Sequence, residues 1–167
     1  MKPTDLVITK WGARYRGLHF PCAIGRGGIG EKKGEGDGIT PAGRFRLCMI
    51  GVRPDRVALS SLIPQREIGP SDIWSDDPKD PGYNQWQKGR STRFSHEVLR
   101  RADPLYDLIG VLDFNWPAAK PGAGSAIFLH SWRKPRHPTE GCVAFCPDVL
   151  AWICASWDSR SWVLITG

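Results

Sequence analysis

The chain has 167 residues, 41% of them hydrophobic and eight of them tryptophan, which suits one domain able to bury a core without covalent staples. Its net charge of +6 favours polyanionic partners, yet the basic residues come only as doublets such as Lys32-Lys33 and Arg100-Arg101, so no nucleic-acid-binding motif is written in it. No apolar stretch approaches the ~18 residues of a membrane-spanning helix, so neither nucleic acid nor a membrane span is expected.

The first residues, Met1 to Ile8, show no apolar centre of the kind a secretory signal peptide carries. Leu6 to Ile8 and His19 to Ile24 read as two short strands around a turn at Arg16-Gly17. Gly25-Arg26-Gly27-Gly28-Ile29-Gly30 then matches G-x-G-x-x-G in form. A dinucleotide cradle needs a helix to start there, and Glu31 to Gly38 would not sustain one, so a flexible surface loop is the expectation. Thr40-Pro41-Ala42-Gly43 reads as a tight turn leading into a half-buried strand at Arg44-Phe45-Arg46-Leu47.

From Pro54 to His96 the chain clusters Pro, Asp, Gly and aromatic residues without periodicity. Irregular segments of that length usually serve function, often as a lid. Glu97 to Ala102 is expected to form a short helix capped by Ser95. Tyr106 to Phe114 and Ala126 to His130 read as core strands. Pro147 suits the first turn of a helix running to about Trp157, with Val149, Leu150, Ile153 and Trp157 on its buried face. Trp162 to Thr166 closes the chain as a strand. The sum is a single domain over residues 1–167, mainly β, with one or two short helices.

The residues that suggest chemistry are His130, at the end of an apolar run, and Cys142, twelve residues later in Thr139-Glu140-Gly141-Cys142-Val143. An imidazole beside a thiol can draw off its proton, and the thiolate then attacks a carbonyl to give a thioester. The histidine returns the proton to the departing amine. Backbone N–H groups around Gly141, Cys142 and Val143 are candidates to hold the negative oxygen of the intermediate. No Asp or Asn stands ready to orient the imidazole, which leaves a backbone carbonyl near Ser131 or Trp132. On this reading an alkylating reagent finds Cys142 first among the five cysteines, 22, 48, 142, 146 and 154. The other four are buried thiols or two disulfides, and the sequence leaves both open. A metal site from His130, His137, Cys142 and Cys146 has irregular spacing for zinc, so no metal or other cofactor is expected.

These residues resemble the YkuD-type L,D-transpeptidase catalytic domain, which carries a histidine at a strand end, a loop, and then Ser/Thr-x-Gly-Cys. Here those positions are His130 and Thr139-Glu140-Gly141-Cys142, and the family's earlier Thr-Pro-x-Gly is matched by Thr40-Pro41-Ala42-Gly43. The run Pro138-Thr139-Glu140-Gly141-Cys142-Val143-Ala144 resembles a compact proteobacterial branch, some members of which are associated with 1,3-type L-alanine–diaminopimelate cross-links rather than 3,3-type ones. The resemblance implies a YkuD-like β-sandwich or barrel-like sheet core. It implies a cysteine acyltransferase that links peptidoglycan stem peptides containing meso-diaminopimelate, with Cys142 as nucleophile and His130 as base. It further implies acylation of Cys142 by carbapenem-type inhibitors and a periplasmic location, although no signal peptide is visible. A carboxypeptidase or amidase acting through the same thioester, or a wall-binding module with an inert thiol, are the competing readings. Ser131-Trp132-Arg133 stands where much of the family has glycine after the histidine, and Glu140 where it often has His or Arg. Arg133 and Arg136 are therefore the candidates for pairing with substrate carboxylates. Tyr83, Asn84 and His96 are candidates for substrate contact from a covering segment.

Overall fold

The computed structural model describes residues 2–89 and 93–167. Two five-stranded sheets carry the fold. The first has the order Leu18–Phe20, Gly12–Tyr15, Leu6–Thr9, Val163–Ile165, Gly43–Phe45, so the two ends of the chain pair side by side. Its strands alternate, with Leu6, Ile8, Ala13, Tyr15, Val163 and Ile165 buried and the residues between them less so. That is the period of a sheet with one face in the core.

The second sheet has the order Val143–Phe145, Phe128–Ser131, Leu108–Leu112, Leu47–Val52, Gln65–Glu67. Its first three strands do not alternate, because every residue in them is buried. The sheet is covered on both faces. On one face Leu129, Val143 and Phe145 share a core with Leu6, Ile8 and Tyr15 of the first sheet. Leu150 and Ile153 of the helix Pro147–Ala155 join them there. On the other face Phe128, Ile109 and Val111 meet Trp74, Leu99 and Tyr106. Two covered faces explain the unbroken apolar run from Leu108 to Leu112. The Trp74 ring meets Phe128 edge-on at 4.9 Å. Burying a phenylalanine side chain this completely contributes about 3 kcal/mol. Neither sheet closes on itself, so the mainly β fold is a sandwich and not a barrel.

The helix starts where the proline signal places it, with Pro147 losing no hydrogen bond at the first turn and Asp148 facing the positive helix end. It stops at Ala155, and Trp157 follows it to stack on Tyr15 at 5.8 Å. The five cysteines are all free thiols.

Several local expectations need correction. A strand, Gly12–Tyr15, lies between the two expected at the N-terminus, and Arg16-Gly17 turns it into Leu18–Phe20. Both turn residues have positive φ, 49° and 79°, as a two-residue hairpin requires. Thr40–Pro41 is no tight turn but extended chain, paired in parallel with Ile29–Gly30. The expected helix from Glu97 is instead the strand His96–Val98, hydrogen-bonded to Asp72–Ser75. A central strand with an open edge outweighs the weak helix propensity of so short a segment. The described residues of the irregular middle are ordered around Asp72–Ser75, which also pairs with Trp86–Lys88 to make a three-stranded sheet. This small sheet covers the second face of the central one. The glycine-rich loop is tied down as well. The Asp37 carboxylate accepts the N–H groups of Lys33 at 2.7 Å and Ile39 at 2.9 Å, and pairs with the Lys32 ammonium at 2.6 Å.

Candidate active site

Phe128–Ser131 and Val143–Phe145 are parallel neighbours, with Leu129 beside Val143 and His130 beside Ala144. Side chains alternate along a strand, so Leu129, Val143 and Phe145 enter the main core while Phe128, His130 and Cys142 share the opposite face. The link between the strands, residues 132–142, must travel back along the sheet to begin a parallel strand. It is held there by the Thr139 N–H donating to the Ile24 carbonyl at 3.0 Å and the Arg26 N–H donating to the Thr139 carbonyl at 2.8 Å.

His130 is 7% exposed, and its Nδ1–H donates to the Ser131 carbonyl at 2.8 Å. That bond assigns the neutral tautomer and leaves the lone pair on Nε2. The ring packs edge-on against Tyr106 at 5.4 Å. Burial pushes its pKa down to about 4, against the opposing pull of the Ser131 carbonyl. The Cys142 thiol donates to the Ala126 carbonyl at 3.0 Å, and its sulfur accepts the Phe128 N–H at 3.4 Å. Burial pushes this thiol up to about 12 and the Glu97 carboxylate adds to the rise, while the Phe128 N–H and Lys32 act against it. Both shifts run towards a neutral thiol and a neutral imidazole.

Gly141 has φ +139°, and a Cβ there would stand 2.9 Å from the Ile39 carbonyl oxygen, so the Gly-Cys step admits no side chain. Thr139 explains the Thr-x-Gly-Cys spacing: its hydroxyl donates to the Cys142 carbonyl at 2.6 Å and accepts the Gly141 N–H at 3.2 Å. The Gly141 N–H is thus already bonded, which corrects its expected part in an oxyanion hole. Val143 is fully buried within its strand.

Cys142 opens on a cleft of about 300 Å³. One wall comes from the glycine-rich loop through Lys32, Glu35 and Gly36, another from the small sheet through Asp76, Ser95 and Glu97, with Glu140 at the rim. Lys32 keeps 4% of its side chain exposed and is neutralised by Asp37.

A family model for the YkuD L,D-transpeptidase catalytic domain matches residues 6–165. The chain belongs to the YkuD family. No curated protein and no solved structure matches it. The match places L,D-transpeptidase chemistry and peptidoglycan behind this fold, and none of the described helices is long and apolar enough to cross a membrane.

Within this YkuD domain the expected site residues fall in different places. Ser131 is buried and presents its carbonyl to His130. Arg133 is exposed on the linking loop, where its charge acts on the Asp103 carboxylate, and it does not line the cleft. Arg136 lies in a separate groove with Trp11 and His19. Tyr83 is 3% exposed, with its hydroxyl donating to Glu35 and accepting the Gly124 N–H at 3.1 Å. Asn84 is 1% exposed and acts as a strut. Its Oδ1 accepts the Trp74 indole N–H at 2.8 Å and the Ala126 N–H at 3.0 Å, while its amide donates to the Asn115 carbonyl at 2.6 Å. Asn84 is thereby corrected from a substrate contact to the tie between the small sheet and the chain beside Cys142. His96 turns away from the cleft that its neighbours Ser95 and Glu97 line, and its Nδ1 bonds the Phe94 carbonyl at 2.9 Å.

Sequence reasoning missed Lys32, Glu97 and Tyr106, which surround Cys142. Their only local signals were a charged residue in a glycine loop, an acid read as helical and a tyrosine read as the start of a strand. Among the described residues no group of three or more His, Cys, Asp or Glu could hold a metal ion.

Proposed function

We propose that the protein is a peptidoglycan L,D-transpeptidase working through a Cys142 thioester. The donor stem peptide enters the cleft with its L,D amide carbonyl over Sγ. His130 Nε2 takes the thiol proton as sulfur adds to the carbonyl carbon, and the imidazolium returns it to the departing amine. The backbone N–H of Cys142 receives the developing oxyanion, since the Val143 N–H faces the neighbouring strand Phe128–Ser131. An acceptor amine, the side-chain amine of a meso-diaminopimelate residue, then attacks the thioester and releases the thiol. The observation that carries this reading is the shared sheet face of His130 and Cys142, with Nδ1 tied to Ser131 and Nε2 left to work.

A peptidoglycan substrate makes the periplasm the expected location. The Pro-Thr-Glu-Gly-Cys-Val-Ala run favours examining 1,3-type as well as 3,3-type products. Carbapenems, whose strained carbonyl mimics the donor, are expected to acylate Cys142.

The test is incubation of the protein with purified muropeptides, read by mass spectrometry with fragmentation of the products. Cross-linked dimers are expected, and Cys142→Ala and His130→Ala should each lower their formation at least about a thousandfold. Trimmed monomers without dimers would assign a carboxypeptidase. Unchanged product formation by Cys142→Ala would remove the nucleophile from the account.

A further inference from the structure

The cleft beside Cys142 has the opposite sign to the molecule that carries it. The chain is +6 overall. Yet Glu35, Asp76, Glu97 and Glu140 all line this cleft, and the one lining cation among the described residues, Lys32, is already paired with Asp37. Glu140 is turned to Arg26 at the exposed rim, which leaves Glu35, Asp76 and Glu97 on the cleft walls. Glu97 is held in place by the Tyr106 hydroxyl, which donates to its Oε2. Glu35 is held in the same way by the Tyr83 hydroxyl. Ser125 is 6% exposed and lines the cleft, and its hydroxyl, which interacts with the Tyr83 phenol, makes no hydrogen bond of standard geometry among the described residues. A buried hydroxyl without a partner is costly unless a ligand completes it. Two carboxylates fixed by tyrosines and an uncompleted hydroxyl form a cradle for a group that is cationic and donates several hydrogen bonds. A carboxylate-bearing donor tail has no place against this wall. An ammonium does.

We propose that Glu97, with Glu35 and Ser125, forms the subsite for the acceptor's side-chain ammonium, and that Glu97 takes the proton the amine must lose before it attacks. This rests on the transpeptidase reading and names how its second substrate is chosen. The protons balance as follows. The ammonium gives one proton to the Glu97 carboxylate and becomes an amine. Its nitrogen bonds the thioester carbonyl carbon. A second proton passes from that nitrogen to His130 Nε2, the carbon–sulfur bond breaks, and His130 protonates the departing Cys142 sulfur. Glu97 then returns its proton to water, so an ammonium and a thioester become an amide, a thiol and one released proton. Burial, which holds the Glu97 carboxyl above the usual carboxylate range, makes it a stronger proton acceptor than an exposed glutamate.

The experiment separates the two half-reactions. Intact-protein mass spectrometry follows acylation of Cys142 by a donor tetrapeptide, and a diaminopimelate-containing tripeptide is then added as acceptor. Glu97→Gln is expected to lower the ratio of aminolysis to acylation at least about thirtyfold, the scale of losing one side of a desolvated charge pair. Glu35→Gln, on an exposed loop where folding is not at stake, is expected to raise the acceptor KM about threefold. The same tripeptide with its side-chain amine acetylated is expected to gain nothing from the wild-type residues as a competitor. Equal losses of acylation and aminolysis in Glu97→Gln, or a Glu35→Gln acceptor KM equal to wild type, overturn the subsite. A wild-type protein that forms no acyl-enzyme on Cys142 overturns the transpeptidase reading itself, and this proposal with it.

Discussion

His130 shows how one buried side chain sets both chemistry and stability. Its tautomer is fixed by the Ser131 carbonyl, so Nε2 keeps its lone pair over the whole range in which the ring stays uncharged. The same burial lowers its pKa from 6.5 to about 4. Between those values the unfolded chain binds a proton that the folded chain refuses, so the folded state loses stability as pH falls through that window. In full the loss is about 3 kcal/mol. Urea unfolding of the wild type and His130→Gln at pH 7 and pH 4 isolates it, since the depressed carboxylates titrate in both proteins. The wild type should lose about 3 kcal/mol more than the variant, and equal losses would show that the ring is solvated. Cys142 follows the same logic from the other side. Burial raises its thiol, so iodoacetamide labelling at pH 7 tests its activation: Cys142 labelled first among the five cysteines would support His130 as its base, and another cysteine labelled first would count against that role.

Among the elements, the small sheet over the second face was the hardest to read. Its strands are short and polar, with Trp86–Lys88 and His96–Val98 lacking any apolar alternation. They exist because Asp72–Ser75 is fully buried between them and offers two edges. The site strands were legible for the converse reason. Phe128–Ser131 is buried on both faces, so its apolar run stands out in the sequence, and the histidine that ends it is conspicuous. The helix from Pro147 was legible because its start signal is local. Lys32, Glu97 and Tyr106 were not, since each reaches Cys142 only through pairings between distant segments. Asn84 joins these levels: it ties Trp74 of the small sheet to the Ala126 backbone, whose carbonyl receives the Cys142 thiol. Asn84→Ala should cost about 3 kcal/mol, because it strands a buried indole N–H and a backbone N–H at once. A thermal melt reads the loss, and an unchanged midpoint would mean that the strut carries no load.

Over the whole molecule, a basic surface and an acidic cleft divide the labour. The net charge of +6 acts at long range and draws the protein towards an anionic polymer, weakening as salt rises. The cleft acts at contact and favours an amine beside the thiol. The fold supplies the division: the sandwich buries one face of the central sheet as ordinary core and leaves the other to the small sheet and the glycine-rich loop, which wall the cleft. The central claim is covalent, so the most direct measurement is to incubate the protein with a disaccharide-tetrapeptide, quench in acid, digest and map the acyl group. The account predicts a thioester-linked stem fragment on Cys142 alone, absent from Cys142→Ala. Cross-linked product formed with Cys142 never acylated, or the acyl group found on another cysteine, would contradict it.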